Sequence, residues 1–143
     1  MSRIFWDTNL FIYLFEGSGR FSTQVMALRN RMLTRGDELF TSAITLGEIL
    51  VKPIQNGDAK AVAYYQKLIT TTAAVIPFEE KAALVYARLR ADRLLRPLRP
   101  PDTIQLACAA TAGVDLFITN DIHLHLKQIP GIQFIVPLDR VPI

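Results

Sequence analysis

Hydrophobic positions in this chain come in short blocks whose spacing switches between that of buried strands and that of helices. Residues 3–7, ending on Asp7, read as a short buried strand, and residues 8–16 continue apolar at helical spacing until Gly17 and Gly19 interrupt them. Residues 21–35 place Val25, Leu28, Met32 and Leu33 on one face and Arg29, Arg31 and Arg35 elsewhere, an amphipathic helix that Gly36 is placed to stop. A second strand is predicted over residues 38–41, followed by a helix from about Ser42 to Lys52-Pro53. Residues 58–70 predict another helix and residues 73–78 a third strand. Residues 79–95 are strongly helical, with Ala82, Val85 and Leu89 facing inward beside Ala83 and Tyr86. Pro97, Pro100 and Pro101 break that pattern, and Pro101 suits the first turn of a helix running to Ala112-Gly113. Residues 115–119 read as a fourth strand, 121–127 as a short helix and 132–136 as a last strand. Strands alternating with helices predict an α/β fold: one domain over residues 1–143, its mainly parallel central sheet of about four to five strands flanked by helices on both faces.

Composition narrows the picture. Half of the 143 residues are apolar and 20% are charged, which excludes disorder as the main state and suffices for one unstapled core. Cys108 is the only cysteine, so an intrachain disulfide is impossible and a cysteine zinc site is disfavoured. No apolar run approaches the roughly 18 residues of a membrane span. The first residues also lack the apolar stretch of a signal peptide, so the expected location is the cytoplasm, with no membrane partner. The net charge of +3 permits a polyanionic partner without demanding one.

Topology then places the chemistry. In an open α/β sheet the functional crevice lies at the carboxyl ends of the strands. Asp7 closes the first strand, and Asp121 follows the fourth just past Thr119-Asn120. The helix opening at Pro101-Asp102 runs antiparallel to the strand it feeds, which brings Asp102 to the same edge. Glu48 lies roughly 9 Å along the helix that leaves the second strand, at about 1.5 Å per residue. It is the only charged residue between Glu38 and Lys52, and Gly47 beside it allows another group to approach closely. Four carboxylates in one crevice repel each other, and a hard divalent cation relieves them. Oxygen donors without a cysteine or a well-spaced histidine pair point to Mg²⁺ or Mn²⁺, ions that support hydrolysis of phosphodiesters. Each acid also has an ordinary reading. Asp7, Asp102 and Asp121 all sit in good helix-capping sequences, and Glu48 has Lys52 at the spacing of a helix ion pair.

Asp7-Thr8-Asn9 after the first strand, Thr45-Leu46-Gly47-Glu48, Pro101-Asp102-Thr103-Ile104-Gln105-Leu106-Ala107, and Phe117-Ile118-Thr119-Asn120-Asp121 together resemble the PIN domain. More narrowly, the chain resembles the VapC-type toxin ribonucleases of bacterial toxin–antitoxin modules, from residue 4 to about 136. The resemblance implies a magnesium-dependent endoribonuclease. In it, Asp7 and Asp102 are the principal metal-binding acids, Glu48 the second acid of the quartet and Asp121 the fourth. Asn9 and Thr119 correspond to supporting polar positions that orient carboxylates or water. It further implies an RNA substrate, a homodimer, and a VapB-like antitoxin whose C-terminal segment packs along a groove and blocks the acidic pocket. One departure is visible: Ile122-His123-Leu124 stands where many members carry an aromatic residue.

RNA approaching an acidic pocket needs cations to guide it, and the densest supply is Lys81, Arg88, Arg90, Arg93, Arg96 and Arg99 against Asp92 alone. Arg93, Arg96 and Arg99 lead directly to Asp102 and are the candidate RNA contacts; the ordinary reading is a solvated helix face and loop. Setting the four acids aside leaves 16 basic against 9 acidic residues, so the mild net charge conceals an acidic pocket and a basic remainder. His123 and His125 are expected at the surface or against a partner, and Cys108 in the core. Phe11, Tyr13, Tyr64 and Tyr65 are expected in the core or facing a partner. Competing readings are a PIN nuclease of RNA processing without an antitoxin, a metal-dependent phosphatase, and an inactive RNA-binding module. The phosphatase reading is weakened by Asn rather than Asp at position 9.

Overall fold

In the computed structural model, which describes residues 1–95, 97–125 and 127–143, the strand closest to the amino terminus occupies the middle of the sheet. Among the described residues the sheet has five strands, β1 (Arg3–Trp6), β2 (Glu38–Ser42), β3 (Ala74–Ile76), β4 (Leu116–Ile118) and β5 (Phe134–Val136). They run in the order β3-β2-β1-β4-β5, with every pairing parallel. Ile4 pairs with Leu39 and Leu116, and Phe5 with Phe40 and Phe117. Such strands read as near-continuous apolar runs because helices cover both faces. On one face Ile4, Trp6, Leu39 and Ile118 pack with Leu10, Val25 and Met32 of α1 (Thr8–Glu16) and α2 (Arg20–Arg35). On the other, Phe5 and Phe117 stack with ring centres 4.9 Å apart beneath Leu89 of α5 (Glu80–Ala91) and Leu106 of α6 (Pro100–Ala112). The remaining helices, α3 (Ala43–Gln55) and α4 (Ala59–Thr72), form a hairpin beside β2 and β3. No helix among the described residues is long and apolar enough to cross a membrane.

Helix ends follow local chemistry. Gly17 and Gly36 adopt left-handed φ of 68° and 75° and stop α1 and α2, Gly36 donating its N–H to Leu33 and Met32. Ser42 caps α3 by accepting from the Ile44 N–H. That helix continues through Pro53 to Gln55 rather than ending there, because a proline in the last turn removes a single backbone bond. Both Pro100 and Pro101 fit the first turn of α6, where free N–H groups have no helical partner.

Two helical expectations are corrected. The helix expected over residues 79–95 ends at Ala91, because Asp92 turns the chain by accepting from the Leu94 N–H, and residues Arg93–Leu95 form a separate 3-10 turn. Ala83 is exposed, whereas Ala82 and Leu89 are buried. In place of the helix expected over residues 121–127, the described residues after Asp121 form turns. The Asp121 carboxylate takes the His123 N–H, and the Leu124 N–H bonds the Asp121 carbonyl at the tight i to i+3 spacing. Strands three, four and five are also shorter than expected, the first of these halted by Pro77.

Asp37 ties the amino terminus to this frame. Its carboxylate accepts from the Ser2 N–H at 2.6 Å and from Arg35 Nε at 2.8 Å. Burial works to raise its pKa, but the Arg35 and Ser2 hydrogen bonds, together with the charges of Arg35 and the terminal amine, hold it below the ordinary carboxylate range. A depressed folded-state pKa contributes stability above the unfolded value and loses it as pH falls through the folded one. Asp37→Asn is therefore expected to cost about 1–3 kcal/mol at neutral pH, with the difference from wild type shrinking below about pH 4 in urea melts.

Candidate active site

Asp7 is fixed on every side. Its N–H bonds the Ile118 carbonyl at 3.1 Å, which locks the end of β1 to β4. Its side chain caps α1, Oδ1 accepting from the Thr8 N–H at 2.8 Å and from Gln105 Nε2 at 3.1 Å, while Oδ2 accepts from the Thr119 hydroxyl at 2.7 Å. Burial pushes its pKa up to about 6, against the lowering effect of the Thr119 and Thr8 hydrogen bonds, and the charges of Asp102 and Glu48 raise it further. The capping and functional readings of Asp7 thus coexist in one side chain.

Around Asp7 runs a directed set of hydrogen bonds. Gln105, buried in α6, has two N–H groups for three oxygens: Nε2 lies 2.7 Å from Thr45 Oγ1 and 3.1 Å from both Asp7 Oδ1 and Thr8 Oγ1, so one N–H is shared between the last two, and its carbonyl accepts from the Ser42 hydroxyl. Thr8 in turn donates to Glu48 Oε1 at 3.1 Å, so its own oxygen accepts from Thr45 at 3.1 Å. Donation therefore points one way, from Gln105 through the two threonines to Glu48. Glu48 is exposed and takes this hydroxyl; among the described residues it makes no ion pair with Lys52.

The other two acids approach differently. Asp102 sits in the first turn of α6 and pairs with Arg99 Nε at 3.2 Å; it does not cap the helix, a position held by Arg99. Asp121 reaches the site through Thr119, whose Oγ1 accepts from the Asp121 N–H at 3.0 Å and from Asn9 Nδ2 at 3.4 Å. The charges of Asp102 and Glu48 thus reach Asp7, whereas Asp121 is joined to Asp7 by way of Thr119. Among the described residues no three His, Cys, Asp or Glu side chains form a group able to hold an ion by themselves.

A model of the PIN domain matches residues 4–130. The chain belongs to the PIN domain family. Solved structures agree on the fold. DNA-bound VapBC from Salmonella typhimurium superposes with a TM-score of 0.75 at 20% identity, over 96% of this chain and 99% of that one. VapBC2 from Rickettsia felis, bound to a DNA fragment from their promoter, gives 0.69 at 17% identity over 94% and 97%. A toxin–antitoxin complex from Klebsiella pneumoniae gives 0.60 at 25% identity over 92% and 95%. No curated protein matches the chain.

The PIN residues fit a hard cation in their donor chemistry. All are oxygens, the Asp7 charge is disfavoured by burial and by the charges of Asp102 and Glu48, and a divalent ion would offset that cost. With no three-acid cage among the described residues, its remaining positions would fall to water or phosphate, which is the habit of Mg²⁺. Of the basic residues, Arg93 and Arg99 are exposed, Arg99 in its ion pair with Asp102, and Arg96 lies outside the described residues. His125 Nε2 bonds the Thr119 carbonyl at 2.7 Å and so braces the turn that carries Asp121, while His123 is exposed. Cys108 is buried, and burial pushes its thiol up to about 11, which leaves it inert.

Sequence reasoning missed Gln105, Thr45, Thr8 and Ser42. A signal was present: Gln105 stands three residues after Asp102 and Thr45 three before Glu48, the spacing that puts side chains on one helix face. Beside Glu48 a cleft of about 450 Å³ opens between α1, α3 and α4, walled by Ile12, Phe15, Ile49 and Tyr65. Phe15 and Tyr65 stack there at 4.9 Å, whereas Phe11 is wholly in the core.

Proposed function

We propose that this PIN domain is the ribonuclease toxin of a type II toxin–antitoxin module, hydrolysing RNA phosphodiester bonds with Mg²⁺, or Mn²⁺ in its place. The observation that carries the reading is Asp7: a buried carboxylate, aimed by three hydrogen-bond donors, within electrostatic reach of Asp102 and Glu48 at the carboxyl edge of the sheet. Asp7, Asp102 and Asp121 would hold the ion, the last through the turn that Thr119 and His125 brace. When bound, the ion lowers the pKa of a water and offsets charge on the phosphate. Glu48 is exposed, with Oε1 accepting from Thr8, and would orient the attacking water with its other oxygen. Thr119 and Asn9 keep the acids aligned. Arg93 and Arg99 draw the RNA backbone toward the pocket. The antitoxin would lay its C-terminal segment in the cleft beside Glu48, two toxin chains would form a homodimer, and the protein would act in the cytoplasm; complexes of similar fold support the antitoxin partner.

The direct test is cleavage of total RNA by the purified protein in Mg²⁺, with the new ends sequenced. Activity surviving excess chelator, or an Asp102→Asn protein cutting at the wild-type rate, would sink the proposal. The basic approach has its own test in salt dependence. Each phosphate contact with single-stranded nucleic acid contributes about 0.7 to the slope of log affinity against log salt. Arg93→Ala with Arg99→Ala should therefore lower the slope by roughly 1.4, and an unchanged slope places the RNA elsewhere.

A further inference from the structure

Counting lone pairs on Asp7 leads past the catalytic reading while resting on it. An ionised carboxylate offers about four acceptor positions, two on each oxygen. Oδ1 spends both, one on the Thr8 N–H and one on the Gln105 N–H that it shares with Thr8 Oγ1. Oδ2 spends one on the Thr119 hydroxyl. A single position remains, and it is on Oδ2.

The orientation of Gln105 is set by its surroundings. Ser42 donates to the amide oxygen, and the amide nitrogen faces three acceptors, Thr45, Thr8 and Asp7. A rotated amide would set its oxygen 3.1 Å from the Asp7 carboxylate, oxygen against oxygen. The amide is also held from two helices and a strand, since Ser42 ends β2, Thr45 belongs to α3 and Thr8 to α1. Gln105 is buried at 1% exposure, so water does not compete for these bonds.

We infer that Gln105 is a metal-selectivity residue: by occupying Oδ1 it restricts Asp7 to single-oxygen coordination through Oδ2, which suits Mg²⁺ and disfavours Ca²⁺. The two ions differ in this respect. Ca²⁺ accepts six to eight oxygens in flexible geometry and takes carboxylates through one oxygen or both, whereas Mg²⁺ demands six ligands in a tight octahedron. Removing the Gln105 donor frees one position on Oδ1 beside the free one on Oδ2, and the carboxylate can then close on an ion with both oxygens. Gln105 touches neither ion nor RNA. It is a positioning residue, and its effect is on the choice between ions rather than on binding as such.

The experiment uses the full chain without RNA. Thermal unfolding is followed at pH 7.5 while MgCl₂ or CaCl₂ is titrated, for wild type, Gln105→Leu and Gln105→Met; the Met variant serves where Leu does not fold. The reading is the ratio of the Ca²⁺ midpoint to the Mg²⁺ midpoint. Partners one shell out from a metal typically alter affinity by about tenfold or more. The ratio is therefore expected to fall about tenfold in the variants, toward Ca²⁺. General damage to the site moves both midpoints together, so a ratio that changes by less than about threefold overturns the inference while leaving the nuclease reading intact. A wild-type protein whose melting responds to neither ion overturns both.

Discussion

Asp7→Asn is expected to abolish RNA cleavage and, at neutral pH, to make the protein more stable. The first effect removes a carboxylate that would hold the ion; losing roughly 4 kcal/mol of transition-state stabilisation lowers the rate about a thousandfold. The second follows from the cost of keeping that charge buried. The Asp7 pKa rises from 3.8 to about 6 on folding, chiefly through burial, so between those values the folded state holds a proton that the unfolded state has released. Stability therefore falls as pH rises through that window, by about 3 kcal/mol in all at 1.36 kcal/mol per pH unit, and stays lower above it. Asparagine carries no charge and keeps an acceptor for the Thr8 and Gln105 donors. The variant should lack this slope and gain about 2 kcal/mol at pH 7.5. Urea melts of both proteins from pH 3.5 to 8 read the difference directly. Saturating Mg²⁺ should raise the melting temperature of wild type and leave the variant unmoved. A variant less stable than wild type at pH 7.5 would show that the Asp7 charge is compensated within the fold.

Gly131→Ala should be among the most damaging single changes far from the acids. Gly131 has φ of +94°, and a Cβ there would lie 2.8 Å from the Ala110 carbonyl oxygen and 3.2 Å from its Cα. Neither atom can rotate away, because both belong to the backbone of α6, the helix that carries Asp102 and Gln105. Positive φ costs an L-residue about 1–2 kcal/mol, and overpacking adds about 1–3 kcal/mol. A total near 3 kcal/mol corresponds to a melting temperature roughly 10 °C lower in a chain of this size. Gly57→Ala is the matched control. Its φ of +64° carries the backbone strain, but nothing lies within 4 Å of the added carbon, so only about 1 kcal/mol is expected. Equal losses at the two positions would mean that the close approach to Ala110 relaxes.

Most of the sheet was legible because its strands are covered on both faces. Phe5, Phe40 and Phe117 on one side, and Ile4, Leu39 and Leu116 on the other, leave no polar interruption to confuse with a loop. Glycines at 17 and 36 announced helix ends for the same physical reason that they adopt positive φ. The errors fell where a short polar side chain competes with the helix for backbone groups. Asp92 and Asp121 each capture an N–H two residues on, and helical periodicity carries no trace of that bond. At the site, topology assigned Asp7, Asp102 and Asp121 to the carboxyl edge of the sheet, and Glu48 stood out as a lone charge in an apolar stretch. Gln105 and Thr45 could not. An uncharged amide or hydroxyl within an apolar helix is unremarkable until the partners that satisfy it, here Asp7, Thr8 and Ser42, are known.

The central position of β1 has a consequence for the order in which the molecule comes into being. Asp7 is synthesised well before the donors that aim it, which stand 98 and 112 residues later, at Gln105 and Thr119. The neighbour that closes β1 on its second side, β4, follows at residues 116–118. Domains assemble during synthesis from the amino terminus onward, but here the first strand must wait for nearly the last. Contacts so distant in sequence also make for slow folding once the chain is complete. A nascent chain halted between Asp102 and Thr119 thus has Asp7, Glu48 and Asp102 without the Thr119 hydroxyl that aligns Asp7. Whatever chemistry the pocket performs, its alignment waits until Thr119 has left the ribosome.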